Sequence, residues 1–191
     1  FLRKYHAKGL LQYAKRERVH KGYGDVIVCL DESGSTEGEN AEWGKALALA
    51  VQDICAREGR KYALIHFSGK DQFRTDLFLP GQYTSEDLLS AAEHFFDGGT
   101  DFETPIREAL RLINEDAFEN ADILFITDGE DSISDELVSN LQESIQNAQC
   151  SVVGLLLDAD SPGMEFALDK FCERIYRISE MHDKDDILTN L

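Results

Sequence analysis

The sequence predicts a three-layer α/β fold of Rossmann-like type, with a central, mostly parallel sheet, one antiparallel edge strand, and helices on both faces. Three observations predict it. Short apolar runs of strand length alternate with segments whose apolar residues recur at helical spacing, the pattern of parallel strands joined by crossover helices. One run, FRTDLFL at 73–79, interrupts its apolar residues with Arg74 and Asp76, as an edge strand with one face in water does. A chain of 191 residues is also long enough to bury one substantial core.

The elements follow in order. Val26 to Leu30 is a short apolar run suited to a strand buried on both faces. After the loop DESGSTEGEN, Asn40 can cap a helix in which Trp43, Leu47, Ala50, Val51 and Ile54 share a face, with Trp43 expected in the core and Gly59 closing the helix. Tyr62 to Phe67 is the second strand and Phe73 to Leu79 the edge strand. Ser85 can cap a helix reaching about Phe95. Gly98 and Gly99 make a tight loop, and Thr104 with Pro105 reads as the cap and first turn of a helix carrying Ile106, Ala109, Leu110 and Ile113. Ile123 to Thr127 is the fourth strand, closed by Asp128 and Gly129. Ser134 then caps a helix presenting Leu137, Leu141 and Ile145. Val152 to Leu157, a short helix over 163–171 and a strand from Arg174 to Ile178 complete the alternation, with a helical turn expected after His182.

In such sheets ligands bind beyond the carboxyl ends of the strands, where strand order reverses. If the first and fourth strands are neighbours, three loops meet there: DESGS after the first strand, GGTD before a helix, and TDGED after the fourth. Asp31, Ser33, Ser35, Thr100 and Asp128 then offer five hard oxygen donors, suited to octahedral Mg²⁺ or Mn²⁺, with Ca²⁺ less favoured. The hydroxyls bring dipoles without charge, so such an ion keeps affinity for a further carboxylate. Taken singly, each residue reads as a helix cap or a turn residue. It is the set, each member at a strand end or helix start, that points to a metal.

The set DxSGS at 31–35, Thr100 of GGTD and Asp128 of TDG resembles the metal-ion-dependent adhesion site of a von Willebrand factor A domain, over roughly residues 24–179. The resemblance implies that Asp31, Ser33 and Ser35 supply a first metal-binding loop, Thr100 a second and Asp128 a third. It also implies that a bound protein contributes an acidic residue to the ion. GDVIVCLDESGST, KALALAVQDICAREGRKYALIHFSG and FFDGGTDFETPIREAL are further similar to the C-terminal A domains of bacterial ViaA-like proteins, although Thr36 stands where that subfamily often has methionine. That resemblance implies a cytoplasmic adaptor or co-chaperone for a MoxR-class AAA+ ATPase, its client unspecified. The alternative is a general adhesion or scaffolding domain without an ATPase partner.

Enzyme readings are weaker. Ser33 and Ser35 lack a GxSxG elbow, Asp31 lacks the second acid two residues on that a phosphotransferase of haloacid dehalogenase type would have, and no GxxxxGK[ST] or GxGxxG opens a helix. A metal-dependent hydrolase is the residual possibility on that side. His66 reads as a partly buried strand residue and His94 as a helix-face residue.

Charge divides the chain. Residues 1–21 carry seven Lys or Arg against one acid and are expected to form a basic helical extension; residues 22–191, the A-type domain, carry 12 bases against 36 acids. So acidic a body repels nucleic acid and anionic membrane and attracts cations and basic protein surfaces. Glu37, Glu39, Glu42, Glu130 and Asp131 are candidates to ring the metal with negative charge. No apolar run has the length of a membrane span. Cys29, Cys55, Cys150 and Cys172 form no CxxC pair and read as buried free thiols of a reducing compartment. The start at Phe1, without Met, suggests a piece of a larger protein.

Overall fold

A computed structural model describes residues 24–178, apart from 116–117, 119, 130, 149 and 158–164. The basic extension over 1–21 and the turn expected after His182 lie outside the described residues. Six strands, β1 (Val26–Asp31), β2 (Tyr62–Phe67), β3 (Phe73–Phe78), β4 (Asp122–Thr127), β5 (Val152–Leu156) and β6 (Arg174–Arg177), form one sheet in the order β3-β2-β1-β4-β5-β6. Every pairing is parallel except β2 with β3 at the edge. Strand order reverses between β1 and β4, which is where the three loops were expected to meet.

The helices are α1 (Glu39–Glu58), α2 (Ser85–Glu93), α3 (Glu103–Asn114), α4 (Asp135–Ala148) and the short α5 (Glu165–Leu168). Strand periodicity sends alternate residues of β1 to opposite faces. Ile27 and Cys29 join Phe67, Phe125 and the buried sides of α3 and α4 in one core layer. Val26, Val28 and Leu30 join Leu64, Ile126 and the Leu47, Val51 and Cys55 side of α1 in the other. The first layer is fixed by an aromatic cluster, in which Phe125 meets Phe67, Phe102 and Phe171 at centroid distances of 5.3, 5.0 and 5.4 Å.

Helix starts differ from the expected caps. Gly38, not Asn40, precedes α1, and Thr84, one residue before Ser85, closes a capping box with Asp87. Phe102 occupies the cap position of α3, while the Asp101 carboxylate accepts from the Thr104 amide at 3.0 Å, so Asp101 performs the task assigned to Thr104. At the other end of α1, Gly59 takes the left-handed conformation (φ 69°) that terminates helices readily only with glycine. Trp43 is 40% exposed rather than in the core, because Gly44 beside it turns the helix backbone toward Leu30 and Leu157. All four cysteines are free; Cys29, Cys55 and Cys150 are buried and Cys172 is half-buried. Burial pushes the Cys55 and Cys150 thiols up to about 11 and Cys29 and Cys172 higher, so none is a ready nucleophile.

Candidate metal centre

At the carboxyl end of β1 the chain leaves the sheet through Asp31, Glu32 and Ser33, all buried, then winds through a 3₁₀ turn over Gly34–Thr36. The Ser33 amide donates to Asp31 Oδ1 at 2.9 Å, the Thr36 hydroxyl closes on the Ser33 carbonyl at 2.7 Å, and the Glu32 amide extends the β1–β2 ladder to the Phe67 carbonyl at 2.8 Å. These bonds fold DESGS so that its hydroxyls and carboxylate converge. Ser33 Oγ lies 3.0 Å from Ser35 Oγ, and the Ser35 hydroxyl donates to Asp128 Oδ1 at 3.0 Å. Asp128 Oδ2 accepts from the Asn40 amide at 3.3 Å. Asn40, read from sequence as a helix cap, therefore orients a carboxylate instead.

The GGTD loop is tied to the first by backbone bonds from Gly34 N to the Gly98 carbonyl (2.9 Å) and from Asp97 N to the Glu32 carbonyl (3.2 Å). Thr100 is thereby brought against the third loop. A Cβ on Gly129 would sit 3.4 Å from Thr100 Oγ1 and 3.7 Å from Asp31 Oδ2, so a residue without a side chain keeps this space open. All five residues singled out from sequence are thus neighbours around one point. Thr127 joins them unexpectedly: its hydroxyl donates to Asp31 Oδ2 at 2.5 Å and accepts from the Gly129 amide at 3.0 Å.

Burial is the chief cause holding the Asp31 carboxyl up at about 6. The hydrogen bonds from Thr127 and Ser33 work against it, and neighbouring Asp128 adds to it. A buried carboxylate held at that cost, beside a second carboxylate and two hydroxyls, is an arrangement that a divalent cation stabilises. Of the expected acidic ring, Glu37, Glu39 and Glu42 are exposed, whereas Asp131 accepts from the Phe102 amide at 2.9 Å and helps place the start of α3.

A second cluster lies across the sheet plane. Strand alternation puts Asp31 on the α3 side and Glu32 on the α1–α2 side. There Glu32 Oε1 is 2.7 Å from His66 Nδ1 and Glu32 Oε2 is 2.8 Å from His94 Nδ1. The potential ligand atoms of these three residues all lie within 4.8 Å of one another and could hold a metal ion. His66 is wholly buried, more so than expected, and His94 follows the end of α2 rather than riding on its face. Burial pushes the His66 imidazole down, but the carboxylates of Asp76 and Glu32 outweigh it and hold it above its ordinary value. The sequence reading missed Glu32. The available signal was a histidine inside the apolar strand ALIHF, which needs a polar partner from a neighbouring element.

Sheet order, loop convergence and helix layers define the class of protein: a Rossmann-like α/β domain carrying a candidate metal centre at its topological switch point. More narrowly, residues 26–130 match the von Willebrand factor type A domain model, and the chain belongs to that family. It is 33% identical over 159 residues to an uncharacterized protein of Methanocaldococcus jannaschii, covering 83% of this chain and 36% of that protein. The chain therefore spans little more than a third of that relative's length. An aerotolerance-related membrane protein from Bacteroides fragilis superposes with a TM-score of 0.61 at 18% identity, covering 88% of this chain and 96% of that one. Proximal thread matrix protein 1 of the mussel byssus, solved with a zinc-occupied metal-ion-dependent adhesion site, superposes at 0.55 with 16% identity, over 81% and 43% of the two chains. At these identities the solved structures bear on the fold alone. No described helix is long and apolar enough to cross a membrane.

Proposed function

We propose that this domain is a metal-dependent protein-binding module of adhesion or scaffolding type, in which Asp31, Ser33, Ser35, Thr100 and Asp128 hold Mg²⁺ or Mn²⁺ and a partner protein completes the coordination with a carboxylate. The observation that carries the reading is the convergence of three separate loops on one oxygen-lined point, linked through Ser33, Ser35 and Asp128 at 3.0 Å. Two carboxylates match the charge of a divalent ion and the three hydroxyls add none, but five protein oxygens leave one position of an octahedral ion open. That position is the one a carboxylate from a partner would take in place of water. Role as adaptor for a MoxR-class AAA+ ATPase is the finer reading; it is supported by the resemblance of the motif-bearing segments to ViaA-like A domains.

Two measurements test this. Mn²⁺ titration followed by electron paramagnetic resonance should reveal a saturable site, displaced by Mg²⁺ and lost in Asp128→Asn. With Mn²⁺ bound, a peptide bearing a single glutamate should displace coordinated water and lower proton relaxivity, whereas its glutamine counterpart should not. Absence of a saturable Mn²⁺ site sinks the module reading. For the ATPase role, copurification with a MoxR-class ATPase should be stronger in Mg²⁺ than in EDTA; equal recovery leaves the scaffolding role alone.

A further inference from the structure

The cluster behind the oxygen site has an internal electrostatic conflict. His66 faces two carboxylates, Glu32 through Nδ1 at 2.7 Å and Asp76 through Nε2 at 3.2 Å. A neutral imidazole carries one proton. If that proton is on Nδ1, a lone pair on Nε2 faces Asp76; if it is on Nε2, a lone pair on Nδ1 faces Glu32. Nε2 and Asp76 Oδ2 are both buried, and at 3.2 Å their contact is longer than the 2.7 Å contact with Glu32 and the weaker of the two. His94 Nδ1 lies 2.8 Å from the second oxygen of Glu32. Two imidazole nitrogens and both oxygens of one buried carboxylate therefore meet within reach of one another, bridged by protons that a cation can replace.

We propose that Glu32, His66 and His94 form a second cation site, separate from the oxygen set and fitted to a transition ion such as Zn²⁺. Two imidazoles and one carboxylate are a ligand set such ions take, with a water as fourth ligand, and one that Mg²⁺ disfavours. Asp76, itself paired with Arg74 at 2.8 Å, stands behind His66 as the outer carboxylate that commonly orients a metal-bound imidazole. Binding replaces the protons at the two Nδ1 atoms and leaves the His66 proton on Nε2, directed at Asp76. Lys45 opposes the ion: its ammonium is 3.6 Å from Glu32 Oε1 and also donates to the Ala92 and His94 carbonyls. The site therefore binds less tightly than a set without a neighbouring cation, and its affinity falls with pH as protons compete.

The ion would also be structural. Glu32 lies between two residues of the oxygen set, its backbone carbonyl accepts from Asp97 ahead of Thr100, and His94 opens that second loop. An ion on Glu32 and His94 would pin the two loops together from below.

The test is Co²⁺ titration of the whole chain in Mg²⁺-saturated buffer, read by visible absorption and followed by Zn²⁺ displacement. One equivalent should develop the intense bands of four-coordinate Co²⁺, and Zn²⁺ should bleach them. His94→Asn should abolish the bands, Asp31→Asn should keep them, and Asp76→Asn should weaken binding about 10- to 100-fold. His94 is partly exposed, so its variant keeps the test open if His66→Asn fails to fold. Absence of the bands in the unsubstituted protein overturns the proposal, as does their persistence in His94→Asn or their loss in Asp31→Asn. Failure of the oxygen site is read separately, from Mn²⁺ resonance, and leaves these bands unchanged.

Discussion

Asp31 decides whether the oxygen set behaves as a metal site. It is buried, accepts from Ser33 N and the Thr127 hydroxyl, and has its carboxyl held up at about 6, so ionising it without a cation is costly. A cation recovers that cost only by displacing the proton, which links affinity to pH. Mg²⁺ affinity should be level above pH 7 and fall about tenfold per unit below pH 6. Asp31→Asn retains an oxygen for the Ser33 amide, and Thr127 Oγ can accept from the new amide group. That variant should keep the fold while losing more than the roughly 10–100-fold in affinity typical of groups behind the ligands. Calorimetric titration at pH 5, 6 and 8 checks both. A pH-independent affinity, or an Asn variant that binds normally, would remove Asp31 from the coordination sphere.

At the scale of elements, α1 must lie close over β1 for Asn40 to reach Asp128 and Lys45 to reach Glu32, and Gly44 permits this. A Cβ there would meet Leu30 Cδ1 at 2.9 Å, Leu157 Cδ1 at 3.4 Å and Ile126 Cγ2 at 3.6 Å, so these buried side chains would have to shift to admit it. Gly44→Val should destabilise by about 1–3 kcal/mol and weaken metal binding through misplacement of Asn40. Urea unfolding with parallel Mn²⁺ titration reads the two effects; an unchanged midpoint would mean that α1 shifts freely. The inner strands were legible because their apolar runs are nearly continuous, while the two edge strands are broken by charge, β3 by Arg74 and Asp76 and β6 by Arg174 and Arg177. Helix starts were less so. Asn40, Ser85 and Thr104 all carry capping oxygens, but Asn40 is taken up by a distant partner, Asp128, and Thr104 by a local one, the Asp101 carboxylate three residues before it. The five oxygen residues could be grouped from sequence because each sits at a strand end or ahead of a helix, and the proposal that they hold a metal rests on that grouping. Glu32 could not be placed in the same way, since its partners His66 and His94 lie 34 and 62 residues away and no local period announces them.

For the molecule as a whole, three effects act in the same direction on the metal-free protein. The folded-state value of Asp31 lies above its unfolded value, so the native state holds that proton more tightly and stability falls as pH rises from about 4 to 6. His66 is held above its ordinary value by Asp76 and Glu32, so its contribution is complete below about 6.5 and is lost as pH climbs through its folded-state value. The chain carries a formal net charge of −18, and self-repulsion increases as the histidines lose their protons. In EDTA the melting temperature should therefore drop between pH 5 and pH 8. Both core layers are built from side chains on either face of the sheet, independent of any ion, so the protein should remain folded throughout. Mg²⁺ at about 100 times its dissociation constant should add about 2.7 kcal/mol, a rise of roughly 5–10 °C for a domain of this size. The rise should be larger at pH 8, where Asp31 is ionised and gains most from the ion. Scanning calorimetry at the two pH values, with EDTA and with Mg²⁺, separates the contributions. Stability that increases with pH in EDTA would show that Asp31 and His66 do not govern the metal-free state. A Mg²⁺ shift that persists in Asp31→Asn would place the stabilising ion elsewhere on this acidic surface.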